Sequence, residues 1–246
     1  MKGQIALVTG GTKGIGRATA LALAKRGCDV AVNYFKSRDA ADRTVAELKA
    51  LGARAVAARG NVGREDHVDR VLEVVRKEFG RLDVLVSNAA SGPLKPAIEL
   101  GAQEFHDALD MSGRALLALV QKALPMMPDG GRVVSLTSLG PRRYIQGYAA
   151  IASAKAVLEA LTRYLAVELA PRRVRVNAVC AGFVDTESLR GFPNFAEMER
   201  EAASRTPLGR LAKPEDIASV VAWLCSHESA WITGQVVVAD GGYSLR

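Results

Sequence analysis

The chain has 246 residues, 49% of them hydrophobic, which suits one large α/β domain or two small ones with a sizeable core. Its formal net charge of +7 fits an acidic carrier protein or an anionic cofactor; lysines and arginines are spread along the chain with no nucleic-acid motif, so a nucleic-acid partner is set aside. Cys28, Cys180 and Cys225 lack paired or metal-ligand spacing and His67, His106 and His227 are scattered, so reduced thiols, a cytoplasmic location and no metal site are expected. An apolar strand pattern already begins at Ile5, so no signal peptide is expected, and no apolar run is long enough for a membrane span.

Gln4–Thr9 reads as a buried strand. Gly10-Gly11-Thr12-Lys13-Gly14-Ile15-Gly16 follows, then an amphipathic helix stopped by Gly27. Strand, glycine-rich turn and helix in that order form the mononucleotide-binding opening of a doubly wound sheet. The glycines let the backbone turn sharply and approach a pyrophosphate, and the helix N-terminus offers its free N–H groups to the anion. Asp29–Tyr34 is the second strand. An acid near its end would bind the ribose hydroxyls of NAD, but Asn33, Tyr34, Phe35, Lys36, Ser37 and Arg38 stand there instead. With Lys13 inside the glycine loop, basic positions and no acid favour a 2′-phosphate, hence NADPH.

The alternation continues with a helix near Asp39–Leu51, a strand over 53–59, a helix over Glu65–Phe79 and a strand within 82–91. A long helix over Ala102–Leu124 precedes a strand at 132–136, a central helix and a strand at 173–179. Residues 182–210 break the rhythm: Gly191, Pro193 and Pro207 surround a helical patch at 195–204, which reads as a lid at the carboxyl edge of the sheet. Pro214 opens a helix running to Cys225, and 234–242 supplies a last strand. Seven strands with alternating helices predict a single domain over 1–246. Its fold is a Rossmann-like, doubly wound parallel seven-stranded sheet with helices on both faces.

Ser138, Tyr144, Tyr148 and Lys155 lie between the 132–136 strand and the central helix. If that helix reaches back to Tyr148, the step to Lys155 covers nearly two turns and puts phenol and ammonium on one face. The ammonium would then lower the phenol pKa.

Together these motifs resemble the short-chain dehydrogenase/reductase family over the whole chain. Thr9-Gly10-x-x-x-Gly14-x-Gly16 is similar to its cofactor loop; Asn61-Val62 stands where it usually has Asp-Val against the adenine; Ser87-Asn88-Ala89-Ala90 stands for its Asn-Asn-Ala-Gly. Ser138 and Lys155 hold the spacing of its catalytic serine and lysine. Most members place the tyrosine four residues before the lysine, where this chain has Ile151. The phenol at Tyr148 gives Tyr-x6-Lys, the spacing of the enoyl-acyl-carrier-protein reductases. The pattern from Ser138 to Leu169, with Asn88-Ala89-Ala90-Ser91-Gly92 before it, resembles the NADPH-dependent enoyl reductase III of bacterial fatty-acid synthesis. Three departures accompany it: Ser153-Ala154 before the lysine, Asp110 in place of the helix-four asparagine, and Ala181-Gly182 for Pro-Gly.

The shifted tyrosine has a physical reason. A ketone takes hydride one bond from the oxygen that needs a proton, whereas an enoyl thioester takes it at Cβ, three bonds from the oxygen where charge develops. Moving the phenol back three helical positions displaces it by about 4.5 Å on roughly the same face. The resemblance implies Tyr148 as donor, Lys155 on the nicotinamide ribose, and Gly182, Val184 and Thr186 beside the cofactor with Thr12, Ile15, Asn88 and Ala89. Thr186 has an alternative as a helix N-cap, and Ser138 either binds the substrate oxygen or shapes the turn. Tyr144 and Ser91 are expected in the substrate pocket. Tyr164 is expected to pack, and Trp223 and Trp231 to lie in the core or at subunit contacts. The acyl group would arrive on acyl carrier protein or coenzyme A, with Arg190, Arg200, Arg205 and Arg210 as candidate docking residues or simply solvated ones. A homotetramer is implied. The competing readings are a 3-oxoacyl or other carbonyl reductase and an inactive NADP-binding regulator.

Overall fold

The computed structural model describes residues 1–190 and 195–246. Seven parallel strands form one sheet in the order β3-β2-β1-β4-β5-β6-β7. They are β1 Ile5–Val8, β2 Asp29–Tyr34, β3 Ala55–Arg59, β4 Val84–Ser87, β5 Arg132–Ser138, β6 Arg175–Ala181 and β7 Val236–Ala239. The helices are α1 Gly14–Lys25, α2 Arg38–Ala50, α3 Glu65–Phe79, α4 Ala102–Leu109, α5 Ala115–Ala123, α6 Ala149–Glu168, α7 Glu187–Arg190, α8 Phe195–Arg205 and α9 Pro214–Cys225.

The strands are largely apolar, as both of their faces are covered. Along β1, Ile5 and Leu7 enter a core with Val71 of α3, Leu119 of α5 and Leu158 of α6. Ala6 and Val8 enter the opposite core with Leu23 of α1, Leu48 of α2 and Val221 of α9. The strand order reverses between β1 and β4, and the crevice outside their carboxyl ends is where such sheets bind ligands.

Two local differences from the expected elements bear on the site. The helix expected over Ala102–Leu124 contains a π turn at Asp110–Arg114 between α4 and α5. Its buried Ser112 and Gly113 let it close on α6, where a Cβ on Gly113 would meet Val157 Cγ1 at 2.5 Å. The central helix begins at Ala149, with Tyr148 as its N-cap. Tyr148 joins the helix ladder only through its carbonyl, which accepts from the Ala152 N–H at 2.8 Å. Among the described residues no helix is long and apolar enough to cross a membrane.

Candidate active site

The glycine loop between β1 and α1 is a cradle that side chains would fill. Gly10 sits at φ +60°, where only glycine is relaxed. A Cβ on Gly16 would overlap the Gly10 carbonyl oxygen and lie 2.6 Å from Asn88 Nδ2. Asn88, just past β4, donates from that Nδ2 to the carbonyls of Thr9 at 2.9 Å and Gly10 at 3.2 Å. Thr9 Oγ1 in turn accepts from the Asn88 and Ala89 N–H groups at 2.9 and 3.1 Å. The loop is therefore fixed open-backed, with its N–H groups beside the start of α1, which suits a pyrophosphate. Thr12 is buried beneath the loop, its carbonyl accepting from Thr44 at 3.4 Å, while Ile15 packs on the α1 and α9 core.

Asn33 was not expected to act here. Buried near the end of β2, it accepts at Oδ1 from the Gly10 N–H at 3.4 Å and donates to the carbonyls of Ala58 and Gly60 at 3.1 and 2.9 Å. A polar residue within an apolar strand was the available signal. Lys36 and Ser37 follow, both exposed at the mouth before α2. Asn61 Oδ1 accepts from the Gly63 N–H at 3.0 Å, and its own N–H donates to His67 Nδ1 at 2.9 Å, with Val62 buried alongside. One of the scattered histidines thus braces the loop after β3.

Past β6, Gly182 abuts Asp240, and Val184 bridges to Ala212. Thr186 lies over Gly14, its Oγ1 accepting from the Leu189 N–H at 3.3 Å, which is the N-cap arrangement. Lys13 reaches the next residue, pairing with Glu187 at 2.7 Å.

Ser138, Tyr148 and Lys155 converge at the carboxyl end of β5. The Tyr148 ring lies against Gly140, where a Cβ would meet Tyr148 Cδ1 at 2.8 Å. Burial raises the phenol above its ordinary value, the Ser138 hydroxyl works against that rise, and Cys180 adds to it. Lys155, buried, donates to the Leu136 carbonyl at 2.7 Å, and burial lowers it to about 8. The expectation that its charge depresses the phenol is corrected: the ammonium is turned onto Leu136, and desolvation dominates Tyr148. Ser138 Oγ is buried without a well-formed hydrogen bond among the described residues. Ile151, at the position where a tyrosine is customary, packs on Gly92, with its Cγ1 at 2.7 Å from where a Gly92 Cβ would stand.

Tyr144 is 88% exposed and Ser91 is exposed, so both stand at the rim. Asp110 pairs with Arg114 at 3.0 Å. Three of the four candidate arginines are engaged within the chain: Arg190 with Asp185 at 2.7 Å, Arg205 with Glu201 at 3.2 Å and Arg210 with Asp216 at 2.6 Å. Arg200 is exposed. Tyr164, expected to pack, is 69% exposed, and Trp231 is fully exposed rather than in the core. Trp223 packs against the α1 and α9 core. Of the proposed lid, Gly191 and Pro193 lie outside the described residues.

Residues 10–244 match the family described as Enoyl-(Acyl carrier protein) reductase. The chain is 38% identical over 244 residues to 1-cyclohexenylcarbonyl-CoA reductase of Streptomyces collinus, covering 98% of this chain and 87% of that one. It superposes on the angucycline C-6 ketoreductase LanV with bound NADP at a TM-score of 0.93, with 32% identity over 100% of this chain and 97% of the other. A short chain dehydrogenase from Burkholderia cenocepacia in complex with NADP superposes at 0.92, with 34% identity over 99% and 98%.

Proposed function

This chain belongs to the short-chain dehydrogenase/reductase family, and we propose that it reduces the double bond of trans-2-enoyl thioesters carried on coenzyme A or acyl carrier protein. It is an oxidoreductase, and its cofactor is NADP(H). The observation that carries the reading is the exchange around α6: Ile151 fills the customary tyrosine position against Gly92, and the partly buried phenol beside Ser138 is Tyr148, before the helix. The relative acting on a cyclohexenylcarbonyl-CoA supports a thioester of an unsaturated acid.

When bound, the reduced nicotinamide supplies the hydride for substrate Cβ. The chain's residues do the rest. Thr9, Gly10, Gly14, Gly16, Asn88 and Ala89 form the phosphate cradle. Lys13, Lys36 and Ser37 face the 2′-phosphate, and Asn61 and Val62 the adenine. Gly182, Val184 and Thr186 border the nicotinamide side, and the 182–210 segment acts as the lid of one NADP-binding domain. Tyr148 donates a hydrogen bond to the thioester oxygen as charge develops there. A phenol raised by burial keeps its proton at neutral pH, as such a donor must. Ser138, its hydroxyl oxygen buried beside it, orients the phenol. Lys155 anchors to Leu136 with one N–H and has others for the ribose hydroxyls. Tyr144 and Ser91 border the acyl chain. Exposed Tyr164, Val167 and Trp231 support assembly into a homotetramer.

A second reading, reduction of a ketone, draws on the ketoreductase among the structural relatives. NADPH oxidation measured with crotonyl-CoA beside acetoacetyl-CoA separates the two. The enoyl substrate is expected to dominate, and Tyr148→Phe to lower kcat roughly 100- to 1000-fold with NADPH binding retained, while Tyr144→Phe stays active. Preference for the 3-oxo substrate would overturn the reading, and turnover of neither, with tight NADPH binding, would indicate a regulator.

A further inference from the structure

Glu159 lies on α6 one turn beyond Lys155, buried to 7% exposure and outside the set of residues assigned above. Its Oε1 accepts from Thr137 Oγ1 at 2.9 Å, and its Oε2 is 3.5 Å from Arg142 Nη2. Thr137 is the residue before Ser138. Arg142 is in the loop from β5 to Tyr148, two residues after the Gly140 against which the Tyr148 ring lies. One buried carboxylate therefore holds both the strand end that carries Ser138 and the loop that carries Tyr148, from the helix that carries Lys155.

The need for such a tether follows from where the phenol sits. A tyrosine at position 151 would be positioned by α6 itself. Tyr148 precedes the helix, so its ring is positioned by the loop 139–147. That loop is held at Arg142 by Glu159 and at Arg143 by Tyr243, whose ring lies 5.3 Å from the guanidinium. A buried carboxylate with one hydroxyl and one guanidinium is a weak device for stability, since apolar residues of similar volume serve as well or better. What it supplies is a fixed geometry. We propose that Glu159 is a positioning residue, acting through Arg142 and Thr137 to hold the Tyr148 ring in register with Ser138 and Lys155. The proposal rests on Tyr148 being the donor.

The test uses the full chain with NADPH and crotonyl-CoA, comparing Glu159→Gln, Arg142→Gln, the double variant, Arg142→Lys and Tyr148→Phe. A misplacement of the donor by about 1 Å can reduce turnover on the order of 100-fold. Each single Gln variant is therefore expected to lose roughly 10- to 100-fold in kcat, with NADPH Kd and substrate KM within about twofold of native. The double variant should be no worse than the poorer single, because both break one link, and Arg142→Lys should recover most of the turnover. Native kcat in both single variants, or a loss that appears only together with lower Tm and weaker NADPH binding, overturns the tether. If Glu159→Gln does not fold, Arg142→Gln at the half-exposed partner decides alone. A dead Tyr148→Phe beside active tether variants refutes the tether only; an active Tyr148→Phe refutes the donor assignment and the tether with it.

Discussion

Lys155 Nζ donates to the Leu136 carbonyl oxygen at 2.7 Å, which ties the buried ammonium to the strand that ends at Ser138. Burial lowers this lysine from 10.5 to about 8. Below pH 8 it is protonated both folded and unfolded, and the fold carries a penalty on the order of 3 kcal/mol for burying the charge. Between pH 8 and 10.5 the unfolded chain keeps a proton the folded one has lost, so stability from this group rises with pH. Lys155→Met removes the penalty and also the hydrogen bond to Leu136, worth about 1–2 kcal/mol. It is expected to raise Tm by a few degrees at neutral pH, with the gain fading by pH 10.5, while abolishing turnover. Melts across that range check this; a pH-independent gain contradicts it.

The Lys13–Glu187 pair joins the glycine loop to the first turn of α7, and Glu187 also feels Arg43. An acid thus occupies the cationic corner assigned to the 2′-phosphate. Both side chains are exposed, so the pair is weak. Glu187→Gln is expected to tighten NADPH roughly two- to fivefold and NADH much less, and Lys13→Ala to weaken NADPH selectively. Titration of cofactor fluorescence reads both; equal changes for NADPH and NADH would remove Lys13 from the phosphate site.

Gly140 supports the Tyr148 ring, and its backbone is not in the left-handed region. Gly140→Ala therefore leaves the loop unstrained yet drives a methyl into Tyr148 Cδ1, 2.8 Å away, and Ala152 Cβ, 3.0 Å away. A kcat loss of about 10- to 100-fold is expected, with NADPH Kd and Tm little changed. Steady-state kinetics beside equilibrium cofactor binding would show it, and a native kcat would mean the ring is free to move aside.

Gly16→Ala forces a methyl against the Gly10 carbonyl and Asn88 Nδ2, groups that brace the same loop. Destabilisation of about 1–3 kcal/mol is expected, with NADPH affinity falling at least tenfold. Denaturation and binding measured on one preparation test this; retained affinity would place the phosphates elsewhere.

The seven-stranded doubly wound sheet with helices on both faces was readable because the strands are largely apolar and alternate with segments of helical period, so few topologies fit. Spacing suggested a shared face for Tyr148 and Lys155, and the family resemblance added Ser138. What spacing does not carry is side-chain direction. Lys155 turns to Leu136 rather than to the phenol, Thr186 caps α7, and Arg190, Arg205 and Arg210 find acids of their own chain. Asn33 and Glu159 were hidden differently: each is a polar residue in an apolar segment, whose partners lie on other strands and loops. The π turn at Asp110–Arg114 comes from close packing on α6, which an amphipathic pattern does not record.

Cys28, Cys180 and Cys225 are all free and buried, and burial raises them to about 11, 11 and 12. Thiolates are the reactive form, so in the closed fold none of the three answers to an alkylating reagent at neutral pH. Each becomes a silent clock that starts only when its own surroundings open. Cys28 and Cys225 sit in the core beneath α1 and α9, whereas Cys180 sits with Leu139, Ala202 and Tyr243 behind the loop that follows β5. The native chain thus carries two separately timed reporters of local opening, one on each side of its sheet, without the addition of any label site.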